Sequence, residues 1–387
     1  MIDKITFCIP SKSNLRYLKT AIPSIRENAH RKDHDIIVFV DSDEDGTVEW
    51  LELNASTLGV TYYVNPYLGE RLFGIGKAYD YCIEKADTDI VMIFHADMML
   101  GKDADLNAFK HISKGKVVCA TRIEPPLHPN AGEKILEDFG IWPEEFKQEA
   151  FNSYVDKLLQ ENKGKTTTGI FAPWMVYKED LLSIGGHDPI LKSCREDSDL
   201  FNRFQLNGYE LIQSWDSLVY HLTGRGAGSF DGDEERHRAW QKEMENSTRE
   251  FIRKWGSNVL HSPMMKPIVP PKYDIGIVLK GDQKMLEALE PWCSTIYYKG
   301  NASEYIAKEQ PNTLYNLKER IKPFDNEKNN EILVEVDQST FSQQDYQMLQ
   351  QLTQIIKESG QPGRFQLGSM VMEIVQMNEY QNTLINI

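Results

Sequence analysis

Short apolar runs bounded by polar residues recur through the first half of the chain, and each predicts a buried strand. The predicted strands are residues 5–9, 35–40, 61–64, 90–94 and 116–121. Between them lie segments with apolar residues three or four positions apart, as in 15–25, which predict helices. This alternation predicts an α/β fold with a mostly parallel, Rossmann-like sheet flanked by helices.

The run 90–94 is apolar throughout, which is typical of a strand buried on both faces of a parallel sheet. His95 and Asp97 follow it and are separated by one residue, so on an extended backbone both side chains point to the same side. Ligands of open α/β sheets bind at the carboxyl ends of the strands. The imidazole and the carboxylate therefore predict half of a divalent-metal site; a polar turn after a core strand is the alternative.

The pattern changes after residue 121. Residues 122–130 are irregular and contain three prolines, and a helix is predicted from Pro143. We therefore interpret the segment from residue 122 through this helix as an insertion that carries substrate specificity. The elements predicted beyond it are a strand over 168–177, a helix from the acidic cluster 194–199, strands at 211–212 and 218–221, and a helix over 231–255. The apolar stripe of that last helix, which includes Trp240, Phe251 and Trp255, predicts core packing.

Prolines at 263, 267, 270 and 271 interrupt the pattern and predict a linker. We therefore predict a first domain over 1–260, a proline-rich linker over 261–273, and a small accessory α/β or α+β domain over 274–387, in which no chemical motif is found. A chain of 387 residues is the right length for two domains.

Composition narrows the classes of function. There are 43 Lys and Arg residues against 58 Asp and Glu residues, a net charge of −15, which argues against nucleic-acid binding. The five cysteines are scattered and form no CxxC pair, so we expect a reducing, cytoplasmic compartment. No apolar run approaches the length of a transmembrane segment.

Gly74 and Gly76 could suggest a dinucleotide fingerprint. The third glycine of that fingerprint is missing, and the pair follows a loop instead of a strand. We therefore interpret the pair as the start of a helix and set aside a nicotinamide-dependent dehydrogenase.

Taken in order, the motifs resemble those of the GT-A fold glycosyltransferases, most closely glycosyltransferase family 2, over about residues 4–230. The segments that carry the resemblance are 9–14, 40–47, 74–78, 95–97 and 185–188, followed by 195–200. The glycine–glycine turn at 185–186 followed by the acidic pair at 196–197 is the most specific of them. His95 departs from the family, since it replaces the first aspartate of the Asp-x-Asp motif.

The resemblance implies roles for individual residues. Asp41 takes the place of the aspartate that contacts a uracil-type base. Asp97 and His221 fall at metal-ligand positions, with His95 as a third candidate. Asp197, the second acid of the pair, takes the place of the catalytic base of inverting members. The other residues so implicated are Pro10, Ser11, Gly76 and Ala96 at the donor and Glu196 beside the base.

Three further assignments rest on side-chain chemistry. Arg225, in a glycine-rich loop after His221, could close over a diphosphate. Arg71 and Lys77 are alternative phosphate or ribose contacts, or simply solvated cations. Trp174 could stack on an acceptor sugar or fill the core.

These assignments predict a metal-dependent glycosyltransferase that moves a sugar from a nucleotide sugar, with UDP as the expected carrier, to a hydroxyl of a glycan or other acceptor. A divalent metal would stabilise the diphosphate leaving group, Mn²⁺ in preference to Mg²⁺. A retaining transferase, a nucleotidyltransferase and a nucleotide- or glycan-binding scaffold are the alternatives. Oligomers could form through the C-terminal domain.

Overall fold

The computed structural model describes residues 2–129, 132–224 and 234–385. Contacts divide the chain into two compact units. The first contains the residues up to 243 together with 261–267, and the second contains 244–260 together with 268–385. The units differ from the predicted limits at 244–260, which belong to the second unit, and at the predicted linker, of which 261–267 belong to the first unit and 268–273 to the second.

The strands of the first unit form one large sheet. They are β1 Thr6–Lys12, β2 Asp35–Ser42, β3 Val60–Val64, β4 Ile90–Ile93, β5 Met98–Leu100, β6 Lys116–Glu124, β7 Ile135–Leu136, β8 Thr166–Thr167, β9 Trp174–Tyr177 and β10 Glu210–His221. The sheet order is β3-β2-β1-β4-β9-β6-β10-β5, with β7 beside β6 and β8 beside β10. The strands from β3 to β4 pair in parallel, whereas β9 and β5 are antiparallel to their neighbours.

Helices flank this sheet. They are α1 Leu15–Asn28, α2 Thr47–Leu58, α3 Ile75–Lys85, α4 Ala104–Phe109, α5 Gln148–Glu161, α6 Lys178–Ser183, α7 Glu196–Leu206 and α8 Glu234–Trp255, whose residues from 244 onward belong to the second unit. All four residues of β4 are buried, as predicted for a strand covered on both faces. The predicted α/β fold class with a mostly parallel sheet is confirmed.

Several elements differ from the prediction. The strand predicted over 116–121 continues to Glu124 as β6, so the first residues of the stretch expected to be irregular belong to the sheet. The helix predicted from Pro143 begins at Gln148, because Pro143–Glu145 form a short 3-10 turn. The two strands predicted at 211–212 and 218–221 are one strand, β10, with an irregularity between Ser214 and Leu218. The strand predicted over 168–177 is limited to β9, Trp174–Tyr177, and the two-residue strand β8, Thr166–Thr167, lies just before the predicted range.

The second unit is also α/β. Its strands are β11 Ile275–Lys280, β12 Thr295–Tyr298, β13 Ile321–Pro323, β14 Ile332–Asp337, β15 Gly363–Leu367 and β16 Met370–Ile374, in the order β13-β12-β11-β14-β16-β15. Its further helices are α9 Gln283–Leu289, α10 Ser303–Glu309, α11 Leu317–Arg320, α12 Gln343–Gln350 and α13 Leu352–Ser359. The first four strands of this order run in parallel, and β16 pairs antiparallel with both β14 and β15. The predicted small α/β region is therefore present.

A buried ionic cluster stabilises the second unit. Arg253 is fully buried and donates to the carboxylates of Glu290, Glu250 and Glu309. Each charge has opposite charges beside it, as a low-dielectric interior requires. Removing one member would leave its partners buried without compensation, so we regard this cluster as structural.

Across the part of the chain that the structure describes, no helix is both long and apolar enough to cross a bilayer.

Candidate metal and nucleotide site

A cavity of about 350 Å³ lies at the edge of the large sheet where β1, β2 and β10 end and where the turn after β4 begins. This is the edge at which open α/β sheets bind ligands. The predicted site residues that line it are Pro10, Ser11, Asp41, His95, Ala96, Asp97 and His221. The topology therefore brings together residues from four separate parts of the sequence.

Strand pairing places Asp97 next to His221. β5 runs antiparallel to β10, with Met98 opposite His221, and the backbone N–H of Leu222 donates to the carbonyl oxygen of Asp97 at 3.1 Å. The prediction that His95 and Asp97 share one side of an extended strand is wrong, because β4 ends at Ile93 and His95 begins a turn. The turn nevertheless directs both side chains into the cavity.

His95, Asp97 and His221 form a cluster that could hold a metal ion. Their potential ligand atoms all lie within 4.8 Å of one another. The distance from Nε2 of His221 to Oδ1 of Asp97 is 3.6 Å, and the centroids of the two imidazole rings are 5.8 Å apart. Two imidazole nitrogens and one carboxylate oxygen fit Mn²⁺ or a similar transition metal better than Mg²⁺, which favours oxygen ligands.

Burial and neighbouring charges act differently on the two histidines. Burial lowers the pKa of His95 to about 4, so its ring is neutral and has a lone pair available for a metal. Burial also disfavours the charged form of His221, but Asp97 and Glu124 outweigh it and raise the pKa of His221 to about 9. A metal bound here would have to displace the proton of His221.

Glu124, at the end of β6, contacts His221 from the side opposite to Asp97, and our sequence reasoning missed it. Nδ1 of His221 lies 2.8 Å from Oε1 of Glu124. The same carboxylate accepts hydrogen bonds from Arg122 at 2.8 Å and from Lys134 at 2.7 Å. Burial alone would raise the pKa of Glu124, but His221, Arg122 and Lys134 lower it by a larger amount. The pKa of Glu124 therefore lies well below its usual range. The sequence analysis ended this strand at residue 121 and placed Arg122 and Glu124 in an irregular stretch, whereas β6 continues through both residues to Glu124.

Asp41 fixes the loop that forms one wall of the cavity. Its carboxylate accepts hydrogen bonds from the backbone N–H groups of Phe73 at 2.7 Å and Gly74 at 3.0 Å. Gly74 has φ +88°, and a Cβ there would lie 2.5 Å from the carbonyl oxygen of Lys192. Glycine is therefore required at position 74. Gly76, the predicted donor contact, lies inside α3 against His187 and does not line the cavity.

Ser11 has an unsatisfied hydroxyl group in the cavity wall. Its side chain is 1% exposed, and Oγ has no hydrogen-bond partner among the described residues. A buried polar atom without a partner costs free energy, so this hydroxyl is a candidate contact for a polar ligand.

The acidic pair begins α7, directly after Arg195, whose φ is +72°. Glu196 is buried, and its Oε2 has no partner among the described residues. Burial and the charge of Asp197 raise the pKa of Glu196 to about 8. The carboxylate of Asp197 accepts a hydrogen bond from the backbone N–H of Ser198 at 2.6 Å. Neither acid lines the cavity itself.

The raised pKa of Glu196 predicts a pH-dependent cost to folding. The unfolded chain ionises this group near its ordinary value of 4.5, whereas the folded chain keeps it protonated up to about pH 8, so stability falls as pH rises through that window. We expect Glu196→Gln to remove this slope and to raise the thermal midpoint relative to wild type at pH 8 but not at pH 4.5. Glu304→Gln, at an exposed position of α10, is the control. An identical slope in Glu196→Gln would contradict the assignment.

Several predicted contacts lie away from the cavity. Trp174 is 1% exposed and packs against His187, Phe201 and Phe204, so it fills the core and presents no face to a sugar. Its placement between β4 and β6 explains this burial. Two of the cations predicted to contact phosphate or ribose are exposed: Arg71 stacks on Tyr67, 3.7 Å from the ring centroid, and Lys77 lies on α3. The third, Arg225, lies outside the described residues.

Two residues of α8 line the cavity although the sequence predicted only core packing for this helix. Trp240 is half-buried, and Glu243 accepts a hydrogen bond from Ser193 at 2.7 Å. The core prediction holds for Phe251 and Trp255, which are buried. A regular stripe does not show where along a helix the protein core ends and a cavity begins, which is why Trp240 was misread.

Comparison with known proteins gives one family match. Residues 6–182 match the model described as Glycosyl transferase family 2. No curated protein sequence matches this chain. Similar solved structures include S. aureus TarS 1-349, with 14% identity over 66% of this chain and 74% of that chain and a TM-score of 0.41. Another is the mannosyltransferase PcManGT from Pyrobaculum calidifontis in complex with GDP-Man and Mn²⁺, with 17% identity over 64% of this chain and 63% of that chain and a TM-score of 0.43.

The family match spans β1 to β4, the turn with His95 and Asp97, and β9, which is most of the frame that positions the cavity. It ends before the acidic pair and before His221. The resemblance seen in the sequence motifs is confirmed over residues 6–182, which match the family 2 model.

Proposed function

We propose that this protein is a metal-dependent glycosyltransferase that takes a sugar from a nucleotide sugar, UDP being the expected carrier, and transfers it to a hydroxyl of an acceptor with inversion at the anomeric carbon. The glycosyltransferase class follows from the family match over 6–182. The carrier, the metal and the stereochemical outcome are the proposed parts.

One observation carries the proposal. The potential ligand atoms of His95, Asp97 and His221 lie within 4.8 Å of one another, and these residues line the same cavity as Ser11 and Asp41. A cation at this cluster would lie beside a space of about 350 Å³ that offers a free hydroxyl and apolar walls. Concave apolar sites with a few convergent polar groups are typical of small-molecule binding.

Each group then has a defined task. Asp97, His95 and His221 would hold Mn²⁺ through one carboxylate oxygen and two imidazole nitrogens, and the ion would neutralise the charge that develops on the diphosphate leaving group. Ser11 would donate a hydrogen bond to the donor nucleotide. Asp41 keeps the wall around Gly74 in place.

Asp197 is the proposed general base. The acceptor hydroxyl transfers its proton to this carboxylate while its oxygen attacks the anomeric carbon from the face opposite the diphosphate. The bond between that carbon and the diphosphate oxygen breaks, its electron pair leaves with the diphosphate, and the configuration is inverted. The support for this role is the place of Asp197 in the acidic pair that begins α7, directly after Arg195. Two further expectations stay predictions. One is the cytoplasmic location inferred from the cysteines, and the other is the formation of oligomers through the second unit.

The test is a screen of nucleotide-sugar hydrolysis by the full chain. Uridine, guanosine and thymidine diphosphate sugars are each incubated with Mn²⁺, with Mg²⁺ or with EDTA, and the released nucleoside diphosphate is measured. We expect slow release from one uridine diphosphate sugar with Mn²⁺, less with Mg²⁺, and none with EDTA. Binding of a nucleotide without release of its sugar under any condition would instead favour a binding scaffold.

A further inference from the structure

We propose that Glu124 is a positioning residue that orients His221, so that Nδ1–H of the ring donates to Glu124 and Nε2 is presented to the metal. This inference rests on the proposed metal site and extends it to a residue that does not itself contact the metal. The family match names no role for Glu124.

Strand register explains why the two side chains meet. β6 and β10 run in parallel, with Ile123 opposite Tyr220, so Glu124 and His221 follow one position later at the same edge of the sheet. The ring of His221 then lies between two carboxylates. Nδ1 is 2.8 Å from Oε1 of Glu124, and Nε2 is 3.6 Å from Oδ1 of Asp97. Only Nε2 therefore faces the cluster.

Glu124 is itself held in a fixed position. Its side chain is 1% exposed, Oε1 accepts from Nη1 of Arg122, and Oε2 accepts from Nζ of Lys134. Arg122 also stacks on Phe171, a residue of the cavity wall, at 3.8 Å from the ring centroid. Because both oxygens of the carboxylate are fixed, it can orient the imidazole in only one direction.

This geometry gives the ring two effects. A hydrogen bond to one imidazole nitrogen decides which nitrogen carries the proton, and it lowers the entropy that the ring would lose on binding a metal. Partners that contact a metal-binding histidine in this way typically alter metal affinity by about 10- to 100-fold. The competing explanation is that Glu124 only compensates the buried charges of Arg122 and Lys134.

A set of variants separates the two explanations. Lys134→Met removes one cation and leaves the contact between Glu124 and His221 in place. In that background, Glu124→Gln keeps an oxygen that can accept from Nδ1–H, whereas Glu124→Met has nearly the same shape and no such acceptor. The probe is Mn²⁺ alone, titrated calorimetrically into the full chain without nucleotide.

We expect Lys134→Met and Lys134→Met/Glu124→Gln to bind Mn²⁺ within about 3-fold of wild type, and Lys134→Met/Glu124→Met to bind it about 10-fold or more weakly. UDP binding in EDTA should be equal in all of them. Equal Mn²⁺ affinity in the folded Gln and Met variants would overturn the positioning role. Failure of wild type to bind Mn²⁺ would instead overturn the proposed metal site.

A second measurement needs no variant of Glu124. ¹⁵N-histidine spectra of the Zn²⁺-loaded wild-type chain, with the His221 signals identified by their loss in His221→Gln, report which ring nitrogen binds the diamagnetic ion. We expect Nε2 to bind the metal and Nδ1 to carry a proton. A metal on Nδ1 would overturn the inference even if the Met variant did not fold.

Discussion

Replacement of Asp97 by asparagine is expected to abolish Mn²⁺-dependent sugar release and to weaken Mn²⁺ binding by more than about 100-fold, beyond the range typical of a residue that only supports a ligand. Asp97 is the only carboxylate of the cluster that the described residues form, and it is buried. The other two groups are imidazoles. An amide oxygen has no negative charge to offer, so two neutral rings and an amide hold a divalent cation poorly.

The isosteric change makes the result interpretable. Asparagine keeps the volume of the Asp97 side chain, which is buried in the cavity wall, so the fold around β5 and β10 should persist. The control is Asp89→Asn, which makes the same change of charge at an exposed position just before β4. We expect the control to match wild type in turnover and in Mn²⁺ affinity.

Two assays on Asp97→Asn separate metal loss from general damage. UDP binding in EDTA should match wild type, because it does not use the metal. Addition of Mn²⁺ should then strengthen UDP binding in wild type but not in the variant. Wild-type turnover with Mn²⁺ in Asp97→Asn would refute the assignment of the cluster as the metal site.

The sequence located those parts of the site that depend on local pattern. An apolar run that ends in His95 and Asp97 identified β4 and the polar turn, because both features lie within eight consecutive residues. The proximity of His221 came only from the family resemblance. Its physical cause is the pairing of β10 with β5. β5 has only three residues, too few for a hydrophobic periodicity to be recognised in the sequence.

Features that depend on packing between distant segments were missed. Trp174 had two equally good interpretations, and the choice depended on β9 lying between β4 and β6. Of the two glycines only Gly74 lines the cavity, where the backbone of Lys192 approaches it, whereas Gly76 packs closely against His187 inside α3. Glu124 was overlooked because charged residues beside a proline-rich stretch usually indicate a surface, whereas here they pair with each other in the interior.

The second large effect is expected for Asp197→Asn, which should lower turnover by about 10²- to 10⁴-fold, the contribution of a positioned general base. Asparagine keeps an oxygen that can accept from the N–H of Ser198, so the start of α7 should stay intact. It cannot take a proton from the acceptor hydroxyl. Mn²⁺-dependent UDP binding should match wild type, which distinguishes this variant from Asp97→Asn.

The competing explanation is that Asp197 is an ordinary acid in the first turn of a helix, where negative charge stabilises the helix dipole by about 0.3–1 kcal/mol. Glu49→Gln tests this, since Glu49 is an exposed acid in the first turn of α2. If Asp197 has only that role, both variants lose a similar small amount of stability and keep their turnover. If only Asp197→Asn loses turnover and it still binds nucleotide, Asp197 is assigned as the base. The anomeric configuration of the wild-type product, measured by NMR, then decides between inversion and retention.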